Sequence, residues 1–300
     1  MDMARRPLLP LLSFTAVLAA AATAAILPAA AGRPVQMGMG GGGVKVEWDY
    51  SDGPKGPAHW GELHPSFKQC GVGKQQSPID IPAWKQRQAR GNSTMNDILA
   101  MPPSLTLVPH EGRINMATTC ATFGRCGSLR WDDHTYFFTN LHFHQASEHR
   151  RGGDTLAMEA HLVMATHEAH PADGKAGGAA AKDEPRLAVV GVFLELGQAN
   201  AVLDEVLDGL EAGTEVPVGD LWDNLLVPDS GYCAWRGSLT TPPCTEGVQW
   251  LMQTEPVRAS RAQLARFAVD IHEGSDGVNR PVQPINNRDI QRHRPPHRYE

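Results

Sequence analysis

One stretch, LHFHQASEHRRGGDTLAMEAHLVMAT (Leu141 to Thr166), constrains the fold of this chain more than any other. Its first arm belongs to YFFTNLHFHQASEH, which is rich in aromatic residues and alternates as a strand does. Its second arm, TLAMEAHLVMAT, resumes that pattern after the turn signal RRGGD, Arg150 to Asp154. Residues two apart share a face of a strand, so His142 and His144 project together while Phe143 points the other way. On the second strand Glu159, His161 and Val163 share a face. A hairpin through Gly152-Gly153 therefore sets His161 beside His142 and His144. Both strands are thereby committed to one antiparallel sheet with a polar cluster on one side.

Three neutral imidazoles converging from adjacent strands form a Zn²⁺ site with one position left for water, because closed structural sites take four protein ligands. Zinc acidifies its bound water enough to make hydroxide available near neutral pH. A His-x-His pair alone is commonly a packing or surface pair; the third histidine and Glu159 change that reading. Glu159 shares His161's face, where a carboxylate accepts the ligand's other N–H and sets its tautomer. As an exposed strand charge it would be out of place among Leu156, Met158 and Leu162. Glu148 shares the parity of His142 and His144. His149 has the opposite parity and reads as a non-ligand; His134, His167 and His170 read as loop residues.

The rest of the chain narrows the class. Its 300 residues, 41% hydrophobic and 20% charged, suit one large domain or two small ones. The net charge of -6 gives no basic field for nucleic acid. The 30 Gly and 23 Pro favour many turns, hence sheet over bundle. Residues 1–32 open with Arg5 and Arg6, continue apolar and close in small residues, the order of an export signal. A membrane anchor or an organelle transit segment is the alternative, although Pro10, Pro28 and the alanines make a poor permanent span. Residues 33–44, with MGMGGGG, read as a linker, a catalytic domain as 45–292, and residues 293–300 as a polar tail. Glu168 to Pro185 reads as an exposed loop between strands. Five cysteines without a CxxC pair suit an oxidising compartment, with two bridges and one cysteine over, or one bridge and three thiols.

Seven separated motifs, GPAHW, QSPIDI, LHFH…SEH, EAHLV, LAVVGVFLELG, GSLTTPPC and RPVQPINNR, stand in the order found in the α-class carbonic anhydrases, and over Trp48 to Arg288 the chain resembles that family. The resemblance implies a single mainly β (α+β) domain: a central twisted, mostly antiparallel sheet of about ten strands with short peripheral helices. Ser260 to His272, with Leu264, Phe267 and Ile271 as an apolar stripe, would be one of those helices. The implied reaction is zinc-dependent interconversion of CO₂ and bicarbonate.

The resemblance also assigns roles. Thr240 is the gatekeeping threonine and Glu148 the carboxylate that takes its one hydrogen, so that Thr240 can only accept from the zinc hydroxide. Val163, Val189, Leu239 and Trp250 wall the substrate pocket, with Thr241, Asn115 and Tyr50 near it. Asn140 would hold His142, and a backbone carbonyl near Val278 would hold His144. Cys70 and Cys244 match a disulfide of exported members; Cys120 and Cys126 would be a second, local pair that leaves Cys233 over, the alternative being three thiols.

Two departures stand out. Gln145-Ala146 replaces a frequent Trp-Gly, a variation also met in microbial and algal members. In LVPHEGRINM the usual proton-shuttle position falls on Gly112, so His110 is the substitute, with direct transfer to buffer as the alternative. The rival readings are a catalytically silent binding module of the same fold and another zinc hydrolase. The three histidines disfavour the first, and the lack of an HExxH helix disfavours the second.

Overall fold

The computed structural model describes residues 36–39, 45–82, 91–101, 104–109, 118–120, 122–167, 186–219, 224–227, 229–271 and 279–294. In chain order the strands begin with β1 (Gln36–Met39), β2 (Lys45–Trp48), β3 (Asp80–Ile81), β4 (Gly91–Asn92), β5 (Leu99–Ala100) and β6 (Ser104–Pro109). There follow β7 (Thr118–Cys120), β8 (Ser128–Trp131), β9 (His134–Gln145), β10 (Arg150–Arg151), β11 (Met158–Ala165) and β12 (Leu187–Leu196). The last are β13 (Val216–Gly219), β14 (Tyr232–Ser238), β15 (Glu246–Gln253), β16 (Val257–Ala259) and β17 (Gln291–Arg294). The helices are α1 (Trp60–Leu63), α2 (Gln69–Val72), α3 (Met95–Ile98), α4 (Ala201–Ala212) and α5 (Arg261–Ile271).

Thirteen of these strands join one sheet, whose path runs β13–β6–β7–β9–β11–β12–β15–β14–β17–β4, with β8, β5 and β16 beside it. Pairs are antiparallel except β12–β15, β12–β16 and β17–β4. The expected architecture, a large and mostly antiparallel sheet with a few short helices, is the one found. Three boundaries move. Gln36–Met39, within the stretch read as a linker, pairs with β2, since a glycine-rich segment keeps its backbone donors and acceptors. β17 carries the sheet past residue 292 by pairing with β14 and β4. His134, read as a loop residue, opens β9 opposite Trp131.

The apolar run of β12 is buried on both faces, the near-continuous hydrophobic pattern of a strand covered on both sides. One face packs Tyr136, Phe138, Leu141 and Phe143 of β9 and the even-numbered residues of β11 against α4 and α5. Phe143 meets Phe267 of α5 with ring centroids 4.8 Å apart. Burying such a ring contributes about 1.5–3 kcal/mol. The start of α5 is a reciprocal cap: Gln263 N–H donates to Ser260 Oγ (3.2 Å) and Ser260 N–H donates to Gln263 Oε1 (3.0 Å). Phe267 is buried and Leu264 packs beside the same core, which accounts for two members of the predicted stripe.

The core-facing residues of β9 change parity partway along. Tyr136 and Phe138 are even, Leu141 and Phe143 odd. The register explains it: Val163 opposes Asn140 and Met164 opposes Phe138, so Thr139 is one residue extra. Thr139 Oγ1 donates to Val163 O (2.9 Å) and pins the bulge. Without that bulge, His142 and His144 would point with Tyr136 into the helix-covered core.

Candidate metal centre

β9 and β11 place His142 directly opposite His161, and His144 opposite Glu159. The ring centroids lie 5.2 Å (His142–His144), 5.0 Å (His142–His161) and 4.6 Å (His144–His161) apart. One ring nitrogen from each lies within 4.8 Å of the others, and among the described residues the cluster holds these three only. The hairpin geometry expected for the trio is present.

Hydrogen bonds fix two tautomers. His142 Nδ1 faces Asn140 Oδ1 at 3.0 Å, an acceptor, so Nδ1 carries the hydrogen and Nε2 is bare. His161 Nε2 faces Glu159 Oε1 at 2.7 Å, so Nε2 carries the hydrogen and Nδ1 is bare. The two bare nitrogens face each other at 3.2 Å. Two lone pairs at that separation repel unless a cation lies between them. Tetrahedral zinc with Zn–N bonds of about 2.0–2.1 Å separates its ligand nitrogens by about 3.3–3.4 Å. His144 is buried, and burial lowers its pKa against the pull of Glu148 and a contact with Asn279, so it is neutral. The facing nitrogens of His142 and His161, with the buried imidazole of His144 beside them, fit a zinc ion, with a fourth position left for water.

A second group, His149, Glu159 and His161, is the hydrogen-bonded support of the first. Glu159 Oε1 accepts from both His161 Nε2 and His149 Nδ1, each at 2.7 Å, and Oε2 accepts the His149 N–H at 2.8 Å. Burial raises the pKa of Glu159, yet the two imidazoles and their hydrogen bonds outweigh that and hold the carboxyl well below the usual range. His149 was missed because the strand ends at Gln145. Ala146 to His149 form a loop, so alternation carries no information about Glu148 or His149. Nothing local in the sequence marks His149 as Glu159's partner.

Glu148 is buried, and its Oε1 accepts the backbone N–H of Arg280 at 3.2 Å. Its Oε2 has no hydrogen-bond partner and lies 3.4 Å from His144 Nε2. No hydrogen bond joins this oxygen to the Thr240 hydroxyl in this structure. Thr240, 7% exposed, follows β14 in a loop pinned by Ser238, which trades hydrogen bonds with Ser77, and by Leu239 N–H to Thr245 O.

Val163, Val189 and Trp250 stand side by side in register on β11, β12 and β15. Together with half-buried Leu239 they belong to one apolar cluster on the imidazole side of the sheet. The ring centroid of Trp250 is 5.0 Å from that of His161. Thr241, next to Thr240, is half-buried. Tyr50 packs edge-on to Trp48 and Trp60; burial and the neighbouring Glu148 raise its phenol well above its ordinary pKa, so it stays neutral. His110, Asn115 and Val278 lie outside the described residues.

Arg280 was missed as a site residue. It is buried, and its guanidinium donates to Gln76 Oε1 (2.8 Å), Ser77 O (2.8 Å) and Cys70 O (2.9 Å). Burial lowers its pKa to about 10, so it remains charged. Cys70 is bridged to Cys244, four residues after Thr240, so one arginine ties Glu148 to the disulfide that braces the Thr240 loop. Cys120 and Cys126 form the second bridge; buried Cys233 is in neither.

The family model for eukaryotic-type carbonic anhydrases matches residues 55–294. A carbonic anhydrase of Nostoc sp. is 34% identical over 252 residues, which cover 81% of this chain and 84% of that protein. The α-carbonic anhydrase of Thermovibrio ammonificans, solved with the inhibitor sulfanilamide, superposes with a TM-score of 0.66 at 31% identity, over 82% of this chain and 99% of that one. Dioscorin, solved with ascorbate, superposes at 0.67 with 26% identity, over 83% and 99%. On its sheet, its three converging imidazoles and these likenesses, the chain belongs to the carbonic anhydrases of the eukaryotic type, the α class.

Proposed function

We propose that this protein catalyses the reversible hydration of CO₂ to bicarbonate and a proton, with Zn²⁺ held by His142, His144 and His161. The observation that carries this reading is the pair of bare imidazole nitrogens facing each other at 3.2 Å, beside a third buried imidazole and an apolar wall. Zinc bound there supplies a hydroxide nucleophile by lowering the pKa of water to about 7, the magnitude established for carbonic anhydrases themselves.

The chain's own residues do the rest. Glu159 and Asn140 hold the ligand tautomers that leave nitrogen lone pairs toward the metal. Val163, Val189, Leu239 and Trp250 offer an uncharged substrate a surface without a charged clamp, which suits CO₂ and lets water displace the product anion. The partnerless Oε2 of Glu148 is the acceptor available to the Thr240 hydroxyl. A Thr240 hydroxyl that gives its one hydrogen to this oxygen can only accept, which would orient the nucleophile's own hydrogen away from the substrate. The proton leaves toward His110 or directly to buffer. Activated esters are hydrolysed as a side reaction. Residues 1–32 direct export, and the two disulfides belong to an oxidising compartment: the periplasm, the cell surface or the medium, or else an organelle lumen.

The test pairs metal analysis with stopped-flow CO₂ hydration. Near one zinc per chain with rapid hydration is expected, both lost in His161→Ala. Zinc without hydration would point to a different hydrolase, and a chain that takes up no zinc to a silent binding module.

A further inference from the structure

Trp235 stacks on Trp250 (centroids 6.1 Å apart, planes at 7°) and also lines a cavity of about 710 Å³ that contains none of the site residues named above. The volume is that of a small-molecule site. Its lining is unusual for an apolar ligand: five side-chain amides, three cations, two carboxylates, two indoles and one alanine.

The two arginines are not placed to grip a phosphate. Arg288 donates to the carbonyls of Ile285 (2.9 Å), Pro284 (2.7 Å) and Arg236 (3.4 Å). Arg236 donates to Gly247 O (3.3 Å) and to Asp132 Oδ2 (3.4 Å), which also ties up a carboxylate that a metal would need. What remains for a ligand, besides the exposed Lys74, is planar amides beside an aromatic ring. Gln249 is buried, and its amide hydrogens go to the carbonyls of Trp235 (3.2 Å) and Trp250 (3.1 Å), leaving Oε1 as an acceptor in a fixed position.

Trp131 is held as rigidly. Tyr232 and His293 stack (4.5 Å, 9°), and Trp131 meets both nearly at right angles, at 5.8 and 5.7 Å. It ends β8 beside the two-residue turn Asp132–Asp133, where Asp132 has φ of 50°, so a tight hairpin presents the indole and its neighbouring carboxylate together. A pre-set aromatic ring loses little freedom on binding. A sugar combines an apolar C–H face with a rim of paired hydroxyls. An indole platform beside several planar amides serves both of these surfaces at once.

We propose that this cavity is a binding site for a short oligosaccharide, stacked on Trp131 and hydrogen-bonded by the amides of Gln249 and Asn287. The test uses the full chain on a printed array of neutral and acidic oligosaccharides, with each hit measured by titration calorimetry. At least one glycan class is expected to bind, and Trp131→Ala to weaken it tenfold or more while CO₂ hydration is unchanged. Asn287 is exposed, so Asn287→Ala is a second variant that leaves the fold alone and is expected to weaken the same glycan. Retention of no glycan above the Trp131→Ala background, or binding indifferent to both substitutions, would overturn the proposal.

Discussion

Glutamine at position 159 would keep the side chain's shape but exchange an acceptor oxygen for a donor, and the structure shows why that should disable the metal site. Glu159 is buried and accepts from His161 Nε2, His149 Nδ1 and the His149 N–H. Glutamine can meet this in two ways. With its carbonyl on the imidazoles, its amide faces the His149 N–H, donor against donor, and orphans a buried backbone group at about 1–3 kcal/mol. With its amide on the imidazoles, His161 must carry its hydrogen on Nδ1, the atom that faces His142 Nε2 at 3.2 Å. That hydrogen occupies the metal's place. Either outcome is expected to weaken zinc by about 10- to 100-fold, the range for lost support of a metal ligand. Equilibrium competition against a chromophoric chelator reads the affinity, and urea unfolding of the metal-free chain reads the stability. A variant equal to the parent in both measurements would refute the tautomer argument. The charge has an acid signature as well. A folded pKa held below the usual carboxylate value of 4.5 stabilises the fold fully above that value and loses the contribution as pH falls through the lower folded value. The metal-free parent should therefore lose more stability than Glu159→Gln on acidification below the usual carboxylate range.

Thr139→Val removes the hydroxyl that pins the bulge and should cost about 0.5–1.5 kcal/mol in urea unfolding, with weaker zinc because both histidines lie just beyond it. Arg280→Met strands the acceptors of three buried hydrogen bonds and leaves Glu148 uncompensated; about 3–5 kcal/mol of destabilisation is expected by the same assay. Reducing Cys70–Cys244, or the double serine variant, releases a very long loop and should cost at most about 5 kcal/mol, read as a lower urea midpoint. His110→Ala should slow hydration only in weak buffer; an unchanged rate there would remove His110 from the proton path.

Much of the site was legible because it is local. His142, His144, Glu159 and His161 lie within one hairpin, where a period of two and a glycine turn set which side chains meet. Asn140 belongs to the same strand. The motifs supplied what periodicity could not: Thr240, Val189, Leu239, Trp250 and the Cys70–Cys244 bridge come from segments far apart in sequence, and only their order along the chain hinted at a shared site.

Sequence alone thus determined the sheet class, the imidazole trio and its carboxylate, since these follow from spacing within two neighbouring strands. Tertiary structure decided the rest. The bulge at Thr139 turns the histidines out of the helix-covered core, and pairing with β11 creates it. The stop of β9 at Gln145 lets His149 swing onto Glu159, against its apparent parity. Arg280 reaches Glu148 and Cys70 across more than a hundred residues of chain. Alternation predicts direction only while a strand lasts; where it bulges or ends, packing sets where each side chain goes.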